Sequence, residues 1–489
     1  MNMLHAGFLK PGSWSGRIFD GSWSVSAAGT LTVREPATGD VLAETGLAGP
    51  QEVVTAAKAA AAAQKAWAAV LPQARAAILN RAADLLEQNG QELIPWIMRE
   101  SGSVEAKAGI EIEHGAQFLR HAASLATTPM GLVLPTMDGR TSHARRLPHG
   151  VVGVISPYNF PLVLSVRAIA AALAVGNAVV HKPDPRTPIS GGIIIARLFE
   201  EAGLPAGVLH VLPGGAEAGE AMCKDPNIAM ISFTGSAAGG AKVGEVCGRH
   251  LKKVQLELGG KNVLIVLEDA DVDVAASNCA WGAFLHQGQI CMATGLILAH
   301  ESISESLAAM IATKAHHLPV GDPASGRVAL GPIISPIRWR RSSTSSMTRL
   351  PRGRLLAGGT ADGLFYPATV LAGITPDMLA FREELFGPVA CIMSFASDED
   401  AVRLAQDNDY GLSAGILSAS TSRAMAIGNQ LRTGMLHIND QTVNGGPFAP
   451  FGGFGKSGNG TRIGGPADIE EFTQWQWVTV RDEAQPYPF

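Results

Sequence analysis

VVGVISPYNFPLVLSVRAIAAALAVGNAVVHKPDP, Val151 to Pro185, is the stretch whose reading decides the fold. It opens with five apolar residues closed by Ser-Pro, and its last apolar run ends at Lys182-Pro183. Between them, the run from Pro161 to Val180 is the most membrane-like in the chain, but it carries Arg167 and is broken at Gly176-Asn177. A spanning helix needs about 20 unbroken apolar residues, so a buried helix followed by a strand is expected instead. Strand, helix and strand in that order make the crossover unit of a parallel sheet.

Outward from this unit the same rhythm continues. GVLHVLP (Gly207–Pro213) and AMISFTG (Ala229–Gly235) are further short apolar runs bounded by Gly or Pro, with helical stretches between. The expectation is a doubly wound α/β domain. Upstream, Gln51–Val70 and Gln73–Gln88 have helical spacing, and Asp138-Gly139 signals a hairpin. A second α/β region is expected from LGGKNVLIVL (Leu258–Leu267) to about residue 450. Near the end, QWQWVTV (Gln474–Val480) alternates as a strand. This strand and the hairpin either project together to pair with another subunit or pack on their own chain.

At 489 residues the chain is long enough for two or three domains. Its net charge of −5 without a basic block argues against a nucleic-acid partner. Five scattered cysteines and no CxxC pair suit a reducing compartment. No signal peptide is read in the N-terminal residues, so a cytoplasmic location is expected. No metal site is expected, because His316-His317 lacks ligand spacing and no HExxH occurs. GGFGKSG, with Gly453, Gly455 and Gly458, matches GxGxxG in form. It lies between Gly/Pro-rich loops rather than between a strand and a helix, so it is not read as a dinucleotide fingerprint.

Four clusters carry the candidate chemistry. SPYNFP puts Asn159 at a strand end between prolines, where its amide can donate to an oxyanion or serve a turn. HKPDP offers Lys182 and Asp184 at the next strand end, where doubly wound sheets bind nucleotides. SFTGS, with Phe233, Gly235 and Ser236, closes a strand and opens a helix whose N–H groups suit a pyrophosphate. Glu257 of LELGGKN sits in an apolar stretch that would tune a carboxylate toward a base. Cys291 of GQICMATG lies between glycines; an ordinary thiol is about 3% ionised at neutral pH, so it needs activation.

Together SPYNFP, HKPDP, FTGS, LELGGK, GQICMA, EELFGPV and PFGGFGKSG resemble, in order and spacing, the aldehyde dehydrogenase superfamily, within which HKPDPRTP, HINDQTVN and the ending EEFTQWQWVTV most resemble NAD-dependent benzaldehyde dehydrogenases. The resemblance implies a Rossmann-type NAD-binding domain over residues 1–128 and 148–256 and an α/β catalytic domain over 257–455. It also implies a small β oligomerisation arm over 129–147 and 465–489, in a homodimer or homotetramer. By the same resemblance Cys291 is the nucleophile, Glu257 the general base and Asn159 the oxyanion donor. Lys182, Asp184, Phe233, Gly235, Ser236, Glu384 and Phe386 match cofactor contacts. The cofactor is expected to be NAD, with NADP as the alternative. The implied reaction oxidises an aromatic aldehyde to its acid through a cysteine thiohemiacetal and a thioester. An aliphatic or semialdehyde substrate is the alternative within the family. Tyr158 replaces a tryptophan common in the family, and Arg167 stands where relatives carry a bulky apolar residue. Arg167 either meets the substrate or forms a buried structural ion pair.

One window, 336–354, breaks the resemblance. IRWRRSSTSSMTRLPRG (Ile337–Gly353) is rich in Arg and Ser and has no apolar periodicity. It reads either as a compensated frameshift, which would raise the alternative of a catalytically impaired scaffold, or as a polar surface loop.

Overall fold

The computed structural model describes residues 7–136, 138–336 and 353–489, so most of the 336–354 window lies outside the described residues. In chain order the strands are β1 (Arg17–Phe19), β2 (Trp23–Val25), β3 (Thr30–Arg34), β4 (Val41–Gly46), β5 (Gly131–Val133), β6 (Thr141–Pro148), β7 (Val151–Ile155), β8 (Ala178–Lys182), β9 (Leu209–Val211), β10 (Ile228–Thr234) and β11 (Lys253–Glu257). They continue with β12 (Asn262–Val266), β13 (Thr294–His300), β14 (Arg354–Ala357), β15 (Thr369–Ala372), β16 (Val389–Phe395), β17 (Ser413–Leu417), β18 (Met435–Ile438) and β19 (Thr473–Val480).

The first seven-stranded sheet has the order β11-β10-β7-β8-β9-β1-β2, parallel from β11 to β9 and closed by the antiparallel β1 and β2. A second runs β14-β15-β16-β13-β12-β17-β18, with only β14 antiparallel. The strand order reverses beside β7 in one and beside β12 in the other, and such switch points are where α/β sheets hold ligands. β19, β6 and β5 form a separate antiparallel sheet, with Thr473–Val480 paired residue for residue to Pro148–Thr141 of the same chain. Its outer face leaves Trp475 and Trp477 exposed. No helix among the described residues is long and apolar enough to cross a membrane.

The run from Pro161 resolves as expected into a helix, Pro161–Ala174, and β8. Every residue of this helix is buried, Arg167 included, which is what an all-round apolar helix requires. Its start is fixed by Glu111 on the preceding long helix (Glu105–Leu125), whose Oε2 accepts from the Leu162 and Val163 N–H groups at 3.0 and 3.3 Å. Glu111 is itself paired with Lys107, fully inside the protein. At the other end Gly176, at φ +96°, turns the chain, and Asn177 Nδ2 donates to the Ala172 and Phe472 carbonyls. Both ends of the helix are therefore held by long-range partners, and so is the Asn159 turn that precedes it.

Candidate active site

Cys291 sits on a loop between the two large sheets, half-buried, while the other four cysteines are buried. The chain before it is held in left-handed backbone at His286 (φ 47°) and Gln287 (φ 56°). Such geometry persists only where surroundings over-determine it. Here Gln287 Nε2 donates to the Gly102 and Pro332 carbonyls at 2.8 and 3.0 Å, and Gln289 Oε1 accepts from Ile334 N at 3.0 Å. After the bend, Asn262 Nδ2 holds the Cys291 and Ala293 carbonyls at 2.7 and 2.9 Å, and Thr442 Oγ1 holds that of Met292 at 2.7 Å. The thiol is thus presented on a fixed backbone.

Asn159 follows β7 and is buried; its Nδ2 donates to the Gln289 carbonyl at 2.8 Å. An amide carries two N–H donors. One anchors the thiol loop at Gln289, which leaves the second for another acceptor.

Glu257 ends β11, is buried, and touches the GGFGKSG loop: it bridges Gly458, and Leu258 N donates to the Ser457 carbonyl at 3.1 Å. The loop rejected as a nucleotide fingerprint is therefore a brace for this carboxylate. Oε1 receives Gln255 Nε2 at 3.4 Å, and Oε2 has no partner among the described residues. Burial pushes the carboxyl up to about 8, against the pull of Arg167 and Arg462. Burial likewise pushes the Cys291 thiol up to about 12, again opposed by Arg167. The resting site is a neutral thiol beside a carboxyl that ionises near physiological pH.

Arg167 is the cation common to both. Its Nη2 donates to Thr234 Oγ1 at 3.2 Å and its guanidinium lies over the Phe451 ring at 4.9 Å, while Nε is unpartnered. No carboxylate lies within 4.0 Å of it among the described residues. The structural ion pair is thus not formed, and the charge acts on Glu257 and Cys291 from a distance.

The remaining sequence candidates gather at the strand ends beside this centre. Lys182 Nζ donates to the Pro183 and Gly214 carbonyls, both at 3.1 Å, leaving one of its three protons. Ser236 caps the helix Ala237–Arg249, its Oγ accepting from Gly239 N at 3.1 Å, so the first-turn N–H groups of small residues face outward. A Cβ at Gly235 would stand 2.6 Å from the Phe233 ring, so the chain crosses that ring only as glycine. Glu384 is nearly buried, accepts from Gly260 N at 3.0 Å, and is pushed by burial up to about 7. Phe386, in left-handed backbone at φ 50°, meets Tyr158 edge-on at 6.2 Å. A cation at one strand end, an open helix start at the next and a buried carboxylate beyond them fit a dinucleotide. In that arrangement Lys182 would hold one ribose, Ser236 and the helix start the pyrophosphate, and Glu384 the other ribose.

Asp184 is paired within its own turn. Arg186 takes both its oxygens, Nε to Oδ1 at 2.8 Å and Nη2 to Oδ2 at 2.7 Å, and stacks on Tyr158 at 4.1 Å. These bonds hold the carboxylate in place and leave acceptor capacity on Oδ2, which receives only one donor. Arg462, Gln255, Asn262 and Lys261 were not singled out from the sequence. Asn262 and Lys261 lie inside the quoted LELGGKN motif, but only their contacts with residues far along the chain give them a place.

Comparison with known proteins agrees with this geometry. Residues 23–478 match the model of the aldehyde dehydrogenase family. The chain is 52% identical to a vanillin dehydrogenase of an Amycolatopsis species, over 99% of this chain and 100% of that one. It is 47% identical to a benzaldehyde dehydrogenase (NAD+) of Pseudomonas putida, over 97% and 98%. The crystal structure of a salicylaldehyde dehydrogenase from Pseudomonas putida G7, complexed with salicylaldehyde, superposes with a TM-score of 0.93 at 35% identity, covering 97% of this chain and 99% of that one.

Proposed function

The chain belongs to the aldehyde dehydrogenase family, and from that premise we propose that it oxidises an aromatic aldehyde to the carboxylic acid with NAD, using Cys291 as nucleophile. The tie of Asn159 to the loop of Cys291 and the electrostatic coupling of Cys291 to the buried Glu257 carry the reading, and the aromatic-aldehyde relatives support the substrate class.

An aldehyde carbonyl carries no hydroxyl proton to lose as its hydride leaves. Addition of sulfur to the carbon supplies an alkoxide instead. Glu257 in its ionised form takes the thiol proton. With the thiol near 12 and the carboxyl near 8, that transfer is uphill by about 5 kcal/mol. A turnover of about 10 per second allows a barrier of about 16 kcal/mol, so the step is affordable. Arg167 favours the thiolate, and the free N–H of Asn159 holds the alkoxide oxygen. The nicotinamide ring, when bound, accepts the hydride. Glu257 releases the thiol's proton to solvent; ionised again, it takes a proton from water, whose oxygen attacks the Cys291 thioester, and as the C–S bond breaks the sulfur takes that proton back from Glu257 and the acid is released.

The choice of NAD over NADP is supported by the benzaldehyde relative, with Asp184, held by Arg186, as the carboxylate for the adenosine ribose. The reading includes a cytoplasmic homo-oligomer whose subunits meet through the β5–β6–β19 sheet. The decisive assay follows absorbance of the reduced cofactor with NAD or NADP and a panel of benzaldehydes and straight-chain aldehydes. Faster turnover of the straight-chain set refutes the aromatic assignment.

A further inference from the structure

Lys261 is a buried lysine that the mechanism above does not use, and its Nζ has no hydrogen-bond partner among the described residues. Leaving an ammonium buried and unpaired is costly, so the surroundings bear on its role. The two glycines before it fold over Glu384. A Cβ at Gly259 would stand 2.1 Å from Glu384 Oε2, and Gly260 N donates to Oε1 at 3.0 Å. On the other side the lysine stem lies along Gly295, where a Cβ would meet Cδ at 3.1 Å and Nζ at 3.5 Å. Lys261, Gly295, Gly260, Thr294, Glu384 and Phe386 line one small cavity of about 20 Å³. That volume admits a single water-sized molecule, and the lysine and the carboxylate that line it interact electrostatically.

We propose that Lys261 is the positioning residue for Glu384, holding its carboxylate ionised and aimed so that it can accept the hydroxyls of a cofactor ribose. This rests on the reading of Glu384 as a ribose contact. The other groups facing Glu384 are Glu383 on its own segment, Tyr158, Tyr410 and Cys291, none of them cationic. Cys391, on β16, faces Lys261 rather than Glu384. Burial and Glu383 favour the neutral carboxyl, and Lys261 with the Gly260 N–H opposes them. Gly259 and Gly295 are glycine for a concrete reason: side chains there would strike the carboxylate or the lysine.

The test is equilibrium titration with NAD+ alone, by calorimetry from pH 5.5 to 9.5 in two buffers of different ionisation enthalpy. In the unaltered protein the affinity rises with pH through about 7, and binding below that pH releases a proton. Lys261→Met moves the midpoint upward by about one unit, which weakens binding about fivefold at pH 7 and about tenfold at pH 5.5, and leaves it unchanged at pH 9.5. Lys261→Arg restores the original profile, which a merely structural role for the side chain would not produce. If Lys261→Met does not fold, Lys261→Gln gives the same shift. Glu384→Gln weakens binding at every pH and removes the pH dependence. Normal affinity in Glu384→Gln overturns the ribose reading and the proposal with it. A weakened Glu384→Gln beside an unshifted Lys261→Met (or Gln) profile overturns the role of Lys261 alone.

Discussion

Asn159 donates its side-chain N–H to the carbonyl of Gln289 at 2.8 Å, tying the end of a strand in one sheet to the loop that carries Cys291. The bond joins residues 130 apart in sequence. It couples the placement of the proposed oxyanion donor to that of the proposed nucleophile.

Asn159→Ala removes both the donor and the tie. A fall in kcat of about 10²- to 10³-fold is expected, the usual cost of one oxyanion donor, with a loss of about 1 kcal/mol in stability for the hydrogen bond. Steady-state kinetics and thermal melts measure the two separately. A change confined to the KM for aldehyde contradicts the assignment.

Glu257 ionises near 8 in the folded protein, so its basic form accumulates as pH rises. The rate is expected to climb through about pH 8 and level off above it. Glu257→Gln flattens that rise and stops deacylation. The same substitution raises Tm at alkaline pH. The unfolded carboxyl ionises first, so the buried one costs stability progressively as pH rises from its ordinary 4.5 to about 8. Melts at pH 5 and pH 9 check the sign.

Arg167 favours the ionised forms of both Glu257 and Cys291. Arg167→Leu is expected to move the midpoint of the pH–rate profile upward by about one unit, and Arg167→Lys to move it less. An unshifted profile in Arg167→Leu shows that the guanidinium does not act on the base.

Glu111 joins Lys107 to the first turn of the helix that follows Asn159. Glu111→Ala leaves a buried lysine unpaired and two N–H groups uncapped, and is expected to destabilise the protein by about 3 kcal/mol or more. Lys107→Met with Glu111→Leu removes both charges and costs less than Glu111→Ala alone, as urea unfolding of the two variants will show.

The sequence made the first parallel sheet legible because β7, β8, β9 and β10 lie in short apolar runs bounded by Gly or Pro, the pattern of strands buried on both faces. It was silent on the helices Gly90–Ser101 and Glu105–Leu125. In the second, Lys107 and Glu111 make a buried face look polar, and only their pairing shows otherwise. β1 to β4 are 3 to 6 residues long and too short to carry a period. In the site, residue type at strand ends pointed to Asn159, Lys182 and Ser236, and Cys291 stood out only through the family resemblance. Arg462, Lys261 and the commitment of Asp184 to Arg186 depend on folded neighbours, which periodicity does not carry. The 337–352 residues lie outside the described structure, and sequencing the gene through them distinguishes an altered frame from a surface loop.

The covalent role of Cys291 is tested most directly by intact-protein and peptide mass spectrometry of Glu257→Gln, quenched after mixing with benzaldehyde and NAD+. One aroyl group on the peptide containing Cys291, formed with one equivalent of reduced cofactor, is the expected result. An adduct on another residue, or steady turnover in Cys291→Ala, contradicts it.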